Sequence, residues 1–279
     1  MTYLRLCKPA LSGLAAAATA AGYLVAAPRF SAGVVWAGLG VFLLAAGAGA
    51  LNQYQERELD RRMERTKGRP LPSGLLLPEP ALAWAILLAA AGLAALSRGG
   101  TGPVVLGAVA VVWYNGVYTP LKKTSPMAAV PGALSGAMAP LVGGAFAGAR
   151  LDDTRVAVLA LVLFIWQIPH FWLVVLERVR DFRQAGLPTL LDLLPEARAR
   201  RVVAQWVLGT AAATMVVSGL GWVGFPATRW ALLLISLWLA AVALRFRASP
   251  LRLERSLFRT MNVHMAALLL LVCCDRLLV

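Results

Sequence analysis

The sequence predicts an all-α integral membrane protein with about nine transmembrane helices, and three observations support this fold class. The chain of 279 residues is 59% hydrophobic and only 14% charged, which leaves too little polar surface for a soluble domain of this length. Its apolar residues form long blocks, as backbone groups without a water partner require of a spanning helix. Its basic residues are concentrated in alternate loops.

Nine apolar blocks follow one another along the chain, each close to the length of one membrane span. We place them at roughly 10–27, 31–51, 80–97, 102–118, 127–148, 156–176, 202–224, 228–245 and 260–279. The first block follows two basic residues and so imitates a secretory signal peptide. We expect a retained helix instead, because Gly13 and Gly22 look like helix-packing positions and further spans follow directly. We predict a single domain, residues 1–279.

The distribution of basic residues predicts the orientation. If the N-terminus is cytoplasmic and nine spans alternate, 21 of the 27 basic residues face the cytoplasm and six face the other side. This asymmetry predicts a cytoplasmic N-terminus, and we expect the membrane to be a bacterial cytoplasmic (inner) membrane. Topology therefore accounts for most of the formal net charge of +14, and no nucleic-acid partner is expected. Cys7 and the adjacent pair Cys273 and Cys274 show no metal-binding spacing and are expected to be packing residues.

The acidic residues cluster in two predicted cytoplasmic loops. Nine of the 13 acids lie at roughly 52–79 and 177–201, directly after the second and sixth spans. Because these spans are four helices apart, we predict two related halves that deliver acids to one cytoplasmic cavity. An ordinary solvated loop also carries charge, so the clustering alone does not decide between the two interpretations.

The first loop contains three oxygen ligands at a helical spacing. Asn52, Glu56 and Asp60 are four residues apart, which places them on one face of a helix. Mg²⁺ prefers such ligands and commonly bridges carboxylates to a substrate's phosphates. The cations just downstream can neutralise a bound diphosphate and the negative charge that it gains as a leaving group. They are Arg65, Lys67 and Arg69. The alternative is a surface helix with ion pairs such as Glu58 with Arg62.

The second loop repeats part of this pattern. Glu177 and Asp181 are again four residues apart, and they could hold a second Mg²⁺ on the other side of a diphosphate. Between the two loops, Lys122 and Lys123 lie at the predicted cytoplasmic end of the fourth span. They could close over a diphosphate. Basic residues that only set the orientation of the spans in the membrane explain them equally well.

Three segments carry a resemblance to a known family. The run from Asn52 to Leu71 resembles the first signature of the UbiA-superfamily prenyltransferases, in particular of their heme O synthase branch. The segments 118–126 and 166–188 are similar to further segments of that branch, so the resemblance extends from the first helix to about residue 190. Two departures are Thr189, where methionine is expected, and Phe182, where tyrosine is usual; neither removes a metal ligand.

The resemblance implies a fold, a reaction and a site. The fold is a UbiA-type bundle enclosing a cytoplasm-facing cavity. The reaction is Mg²⁺-dependent farnesyl transfer from farnesyl diphosphate to the vinyl group of heme B, with water, giving heme O and diphosphate. The implied Mg²⁺ ligands are Asn52, Glu56, Asp60, Glu177 and Asp181. The implied diphosphate ligands are Arg65, Lys67, Arg69, Lys122, Lys123 and Tyr118, and the implied acceptor residues are His170, Gln167, Trp166 and Phe171. Association with heme A synthase or with a second copy is a further expectation.

The histidines and aromatic residues add candidates for this chemistry. His170 and His264 are the only histidines, and both lie within predicted spans, where a polar side chain needs a partner. We expect His170 to ligate or orient the heme iron, with a hydrogen bond to a neighbouring helix as the alternative; for His264 we expect only such a bond. Aromatic faces can shield an allylic carbocation, and the candidates are Trp113, Tyr114, Tyr118, Trp166 and Phe171.

Three alternative functions remain open at this point. A sibling UbiA enzyme acting on 4-hydroxybenzoate, a naphthoate or a chlorophyll-type ring shares the diphosphate machinery, and only the acceptor segment 167–172 distinguishes it. A membrane transporter predicts acids near the bilayer midplane, whereas these gather at one membrane face. A non-catalytic assembly factor for a terminal oxidase is the third alternative. The intact sets of candidate metal ligands argue against it, because such a factor does not require them.

Overall fold

The computed structural model describes residues 2–248 and 253–278, and within them nine helical segments are long and apolar enough to cross a membrane. The described residues contain no strand. Each spanning segment overlaps one predicted block, so the all-α class and the span number are confirmed. Residue 279, the end of the ninth predicted block, and Arg252, one of the 21 cations predicted to face the cytoplasm, lie outside the described residues.

The helices are numbered in chain order. They are α1 (Thr2–Leu6), α2 (Pro9–Ala26), α3 (Ala32–Gln55), α4 (Arg57–Arg61), α5 (Pro78–Leu96), α6 (Thr101–Val112), α7 (Thr119–Leu121), α8 (Ala129–Phe146), α9 (Thr154–Glu177), α10 (Val179–Gln184), α11 (Glu196–Gly219), α12 (Pro226–Ala248) and α13 (Glu254–Leu278). Helices α11 and α13 begin about six residues before the predicted blocks. Their first turns are charged, so hydropathy misses them although the backbone is already helical.

Close helix packing brings α2 against α8. Gly22 lies directly against the backbone carbonyl of Pro140, and a Cβ atom at Gly22 would overlap that carbonyl. The prediction that Gly22 is a packing position is therefore confirmed. The same prediction for Gly13 is wrong, because a Cβ there would meet nothing within 4 Å. The first span thus packs inside the bundle through its deeper half, against α3 as well as α8.

This packing predicts a stability difference between two matched variants. Gly22→Ala places a methyl group into the Pro140 carbonyl, so we expect it to lower the free energy of unfolding by about 1–3 kcal/mol. Gly13→Ala adds the same methyl group in open space and should leave stability equal or slightly higher. Thermal unfolding of the purified variants in one detergent measures the difference. Equal melting temperatures would contradict the close α2–α8 contact.

Both acidic motifs lie at a break between a spanning helix and a short helix. Helix α3 ends at Gln55 and α4 begins at Arg57, with Glu56 between them. Helix α9 ends at Glu177 and α10 begins at Val179. The prediction that Asn52, Glu56 and Asp60 share one continuous helix is therefore wrong in detail. All three side chains nevertheless remain buried.

The fourth span is also irregular. Residues Trp113–Tyr118 form a π-helical segment between α6 and α7, and such segments are frequent at functional sites. The Thr119 hydroxyl donates to the Tyr114 carbonyl at 2.9 Å, which satisfies a backbone acceptor inside the widened turn. The π segment faces the break between α3 and α4, so the two irregularities meet.

Candidate active site

The first acidic motif forms a buried polar network at the end of the bundle where α2 begins and α3 ends. Asn52, Glu56 and Asp60 are 2%, 4% and 1% exposed. The Asn52 amide nitrogen donates to Glu56 Oε2 at 3.1 Å, and its oxygen accepts from Lys8 Nζ at 3.2 Å. The predicted alternative, a surface helix paired through Glu58 and Arg62, is wrong, because the motif is buried and exposed Glu58 pairs with Arg61.

Two cations neutralise the buried carboxylates directly. Lys122 Nζ lies 2.7 Å from Glu56 Oε2, and Arg69 Nη1 lies 2.6 Å from Asp60 Oδ2. Lys8 adds a third cation; burial lowers the pKa of its ammonium to about 7, and the nearby charges of Arg69 and Lys122 contribute to lowering that pKa. When Lys8 is protonated, three cations surround two carboxylates and the network carries an excess of positive charge. It therefore suits an anionic group.

Lys8 was not among the predicted site residues. It precedes Pro9 and has left-handed backbone angles, φ 45° and ψ 59°, which are uncommon outside glycine. Backbone strain of this kind persists where surrounding contacts hold it, and it is common at functional sites. The sequence signal was the Lys8-Pro9 pair at the membrane surface. The contact with Asn52, 44 residues away, could not be read from it.

The first residue of α7, directly after the π segment, orients Asn52. Thr119 Oγ1 accepts a hydrogen bond from the Asn52 amide nitrogen at 3.2 Å. Nearby, the Asn115 amide donates to Gln55 Oε1 at 3.1 Å, and the Gln55 amide donates back to the Asn115 carbonyl at 3.2 Å. These bonds join α3 to the fourth span and direct the Asn52 oxygen towards Lys8. Sequence reasoning missed Thr119, Asn115 and Gln55 as functional residues because their partners lie 60 to 67 residues away.

Glu56 retains an unused ligand atom. Its Oε1 is buried and has no hydrogen-bond partner among the described residues, although its Oε2 is bonded twice. A buried carboxylate oxygen without a partner is costly, and a divalent cation is the partner that the chemistry of this donor set suits. The network of Asn52, Glu56 and Asp60 therefore fits Mg²⁺ by ligand type.

The second acidic pair lies beside the first loop with different partners. Glu177 Oε1 accepts from Arg255 Nε at 3.0 Å. Asp181 accepts from the backbone N–H groups of Glu64, at 2.7 Å, and Arg65, at 3.4 Å. Among the described residues, no three His, Cys, Asp or Glu side chains lie close enough together to hold a metal. A metal at this surface would therefore need further ligands, which a diphosphate can supply.

A small apolar cluster joins the two loops. Met63 of the first loop packs with Ala185 and Leu187 of the second, and Leu59 and Phe182 pack against them. Together with the Asp181 hydrogen bonds, this cluster brings both acidic loops to one end of the bundle. Phe182, the departure from the usual tyrosine, contributes its ring to this cluster.

The remaining predicted diphosphate ligands are more exposed. Lys67 Nζ pairs with Glu64 at 2.6 Å on the surface, and Lys123 is exposed. Arg65 is exposed beside the Asp181 carboxylate. The structure thus places Arg69 and Lys122 inside the buried network and Arg65, Lys67 and Lys123 at its outer edge.

An apolar cavity extends from the network into the bundle between α2, α3, α6, α8 and α9. It begins at Lys8 and Tyr114 and reaches Ala18, Val142 and Leu163. The ten residues from Lys8 to Ala18 correspond to about 15 Å of depth. Its walls are mainly Ala, Gly, Val and Leu side chains, so a hydrocarbon chain fits it.

Aromatic rings stand where the cavity meets the network. Tyr118 stacks on Phe171, with ring centroids 5.3 Å apart and planes 12° apart, and Lys122 Nζ lies 5.3 Å from the Tyr118 centroid. Gly132 makes room for the Tyr118 ring, which a Cβ there would overlap. Tyr114, Trp166 and Phe171 line the cavity. Trp113 instead donates to the Pro131 carbonyl at 2.7 Å and serves helix packing.

The predicted acceptor residues lie along one wall of the same cavity. Trp166, Gln167, His170 and Phe171 all line it. The His170 ring lies 4.6 Å from Trp166 and 4.8 Å from Phe258. Its side chain is hydrogen-bonded with Asn262 of α13, as the alternative prediction has it, while its Nδ1 has no hydrogen-bond partner within the described part of the chain. Sequence reasoning missed Phe258, because the resemblance extends only to about residue 190 and gave no reason to place α13 beside His170.

His264 differs from its prediction. It is fully buried, and neither ring nitrogen has a hydrogen-bond partner among the residues that the structure describes. The expected bond to a neighbouring helix is therefore wrong. Its surroundings on α13 are apolar, with Met261 and Met265 also fully buried.

The fold and the site together define a class of protein. An acid and cation network opens into an apolar cavity within a membrane-spanning bundle, which suits a substrate with an anionic head and a long hydrocarbon chain. The sequence profile of the UbiA prenyltransferase family matches residues 14–266. The chain belongs to this family and is a membrane prenyltransferase.

Curated relatives are similar over most of their length. A protoheme IX farnesyltransferase of Geobacter sulfurreducens is 41% identical over 219 residues, covering 78% of this chain and 81% of the relative. A protoheme IX farnesyltransferase of Oleidesulfovibrio alaskensis is 34% identical over 268 residues, covering 96% and 93%. The predicted resemblance is confirmed, and these relatives support prenyl transfer of the heme O synthase type.

Solved structures confirm the fold. A digeranylgeranylglyceryl phosphate synthase matches all of this chain and 98% of its own, with a TM-score of 0.80 and 16% identity. A UbiA homolog from Archaeoglobus fulgidus bound to GPP and Mg²⁺ matches over the full length of both chains, with a TM-score of 0.76 and 17% identity. The UbiA-type bundle predicted from the sequence is thus the fold of this protein.

Proposed function

We propose that this protein transfers the farnesyl group of farnesyl diphosphate to the vinyl group of heme B, with water, to give heme O and diphosphate. The observation that carries the proposal is the junction of a cation-rich acidic network with an apolar cavity whose wall presents an unpartnered histidine nitrogen. The similarity to protoheme IX farnesyltransferases supports heme as the acceptor. The network faces the cytoplasm in this proposal, as does the N-terminus.

Asn52, Glu56 and Asp60 would hold Mg²⁺, with Glu177 and Asp181 facing the same diphosphate from the second loop. The unpartnered Glu56 Oε1 supports this assignment, as does the binding of GPP and Mg²⁺ by the Archaeoglobus fulgidus homolog. When bound, the metal supplies charge neutralisation of the diphosphate.

The cations of this chain bind and stabilise the leaving group. Lys8, Arg69 and Lys122 contact the acidic network directly, so they can donate to diphosphate oxygens as negative charge develops on them. Arg65, Lys67 and Lys123 add positive charge at the outer edge of the buried network. Breaking the allylic C–O bond places its electron pair on the diphosphate and leaves a farnesyl cation.

The aromatic rings then protect that cation. Tyr114, Tyr118 and Phe171 present aromatic faces at the junction, and Trp166 lines the cavity deeper in the bundle, where the apolar walls exclude bulk water. The farnesyl chain occupies the cavity beyond them. This placement explains why the reaction is carried out within the bilayer.

The acceptor approaches along the α9 wall. His170 Nδ1 can bind or orient the heme iron, and Gln167 and Trp166 on the same wall contact the ring. The vinyl carbon attacks the farnesyl cation, a new C–C bond forms, and water adds to the resulting cation with loss of a proton. The product carries a hydroxyethylfarnesyl group. Association with heme A synthase or with a second copy of the chain remains a prediction.

The proposal is tested in membranes that lack endogenous heme O synthase. Expression of this chain, with heme B, farnesyl diphosphate and Mg²⁺ supplied, should produce heme O detectable by mass spectrometry, and EDTA should abolish it. Folded protein that forms no heme O, but releases diphosphate when a quinone precursor is offered, would move the assignment to a sibling prenyltransferase.

Thr119 provides a test of how Asn52 is oriented. Thr119→Val keeps the side-chain shape but removes the oxygen that accepts from the Asn52 amide, so we expect the apparent Mg²⁺ affinity to fall about tenfold. Thr119→Ser restores the hydroxyl and should restore the affinity. Activity measured against Mg²⁺ concentration compares the three proteins. An unchanged Mg²⁺ dependence in Thr119→Val would exclude a positioning role.

A further inference from the structure

A second cleft lies outside the active site, between α12 and α13. Six residues line it, namely Trp238, Arg255, Ser256, Arg259, Thr260 and Val263. Five of the six belong to the first three turns of α13, at positions that share one side of the helix. None of the six belongs to the acid and cation network or to the apolar cavity.

The cleft is polar at one end and apolar at the other. Its polar end lies at the start of α13, on the side of the bundle where α3 ends and the acidic loops lie. Val263 is eight residues further along α13 than Arg255, about 12 Å deeper into the bilayer. Trp238, on the antiparallel helix α12, is 45% exposed at a similar depth. This polarity is that of a phospholipid, with its headgroup at the surface and its acyl chain in the hydrocarbon.

The polar end offers unpaired donors. Arg255 is already paired with Glu177, whereas the exposed Arg259 has no ion pair among the residues that the structure describes. Thr260 is only 7% exposed and lines the cleft, yet its hydroxyl makes no hydrogen bond within the described part of the chain. A hydroxyl that lines the cleft is available to donate to an acceptor bound there.

The charge around the cleft suits an anion. Arg245 and Arg247 lie in the last turn of α12, and the positive end of the α13 helix dipole lies at the same surface. A guanidinium and a hydroxyl one residue apart can both donate to phosphate oxygens. Basic pockets between transmembrane helices on the cytoplasmic side are known to bind anionic lipid headgroups.

We propose that the α12–α13 cleft binds an anionic phospholipid, with Arg259 and Thr260 donating to its phosphate group and Trp238 and Val263 contacting its acyl chain. The proposal does not rest on the prenyl-transfer chemistry, because its two phosphate donors, Arg259 and Thr260, take no part in the active site. Arg255, which also lines the cleft, pairs with the proposed site residue Glu177 and is not one of these donors. It assigns to this surface a specific bound lipid rather than general attraction to a charged membrane.

Native mass spectrometry of the full chain in detergent tests the proposal. Titration with phosphatidylglycerol should give a saturable one-lipid complex, and phosphatidylcholine should bind at least about tenfold more weakly. Arg259→Gln and Thr260→Val should each weaken phosphatidylglycerol binding by about tenfold or more. Arg201→Gln, which removes an exposed cation of α11 on the same side of the bundle, is the matched control and should bind as the unmodified protein does.

Three results would overturn the proposal. Equal binding by Arg259→Gln and Arg201→Gln would show only general electrostatic attraction. Equal binding of phosphatidylcholine and phosphatidylglycerol would exclude recognition of charge. Displacement of the lipid by millimolar glycerol phosphate would show that the cleft takes a free phosphate instead. Melting temperatures without added lipid confirm that both cleft variants are folded.

Discussion

Asp60→Ala is expected to lower the rate of heme O formation by at least about 10³-fold while the protein remains folded in the membrane. Asp60 is the most deeply buried carboxylate of the network, and its only ionic partner among the described residues is Arg69. Removing it takes away a proposed metal ligand and leaves the Arg69 guanidinium without a counter-charge. Steady-state heme O formation by purified protein measures the loss.

Two further variants separate the loss of charge from a loss of folding. Asp60→Asn keeps an oxygen that can accept from Arg69, so its melting temperature should stay close to that of the unmodified protein while activity remains lost. Glu58→Gln removes a carboxylate two residues away on the exposed side and should leave activity unchanged. Substantial activity in folded Asp60→Asn would show that this carboxylate is not a metal ligand.

Asp181 is expected to give the second large effect, for two separable reasons. Its carboxylate accepts from the backbone of Glu64 and Arg65 and so holds the first loop, and in the proposed function it also faces the diphosphate. Asp181→Ala removes both contributions, and we expect a loss of at least about 10²-fold in heme O formation. Asp181→Asn can keep the shorter bond, to the Glu64 amide, but loses the negative charge.

The asparagine variant therefore decides which role dominates. If Asp181 binds metal, Asp181→Asn should be nearly as inactive as the alanine variant, and its apparent Mg²⁺ affinity should fall. Glu196→Gln, at the exposed start of α11, is the charge-matched control and should retain full activity. Near-normal turnover and Mg²⁺ dependence in Asp181→Asn would restrict Asp181 to holding the loop.

The spans and the two acidic motifs could be predicted because they depend on local properties of the chain. Hydropathy over about twenty residues identifies a spanning helix without knowledge of its neighbours. The spacing of Asn52, Glu56 and Asp60 is enough to predict that their side chains lie together, even though the helix breaks at Glu56. The break itself could not be predicted, because it lies where the first loop packs against the second, more than 100 residues away along the chain.

The contacts that complete the site could not be predicted in this way. Lys8 reaches Asn52 across 44 residues, Thr119 reaches it across 67, and Arg255 reaches Glu177 across 78. Each contact depends on which helices are neighbours in the bundle, and hydropathy carries no such information. His264 illustrates the opposite failure, because the sequence could not show that its ring nitrogens would find no partner among the described residues.

The most direct test of the account is a competition between acceptors. Purified protein in lipid nanodiscs would receive farnesyl diphosphate, Mg²⁺ and equal concentrations of heme B, 4-hydroxybenzoate and a dihydroxynaphthoate, with all prenylated products identified by mass. The account predicts heme O as the dominant product, formed at the same rate when the other acceptors are omitted. A farnesylated benzoate or naphthoate formed in preference to heme O would contradict it.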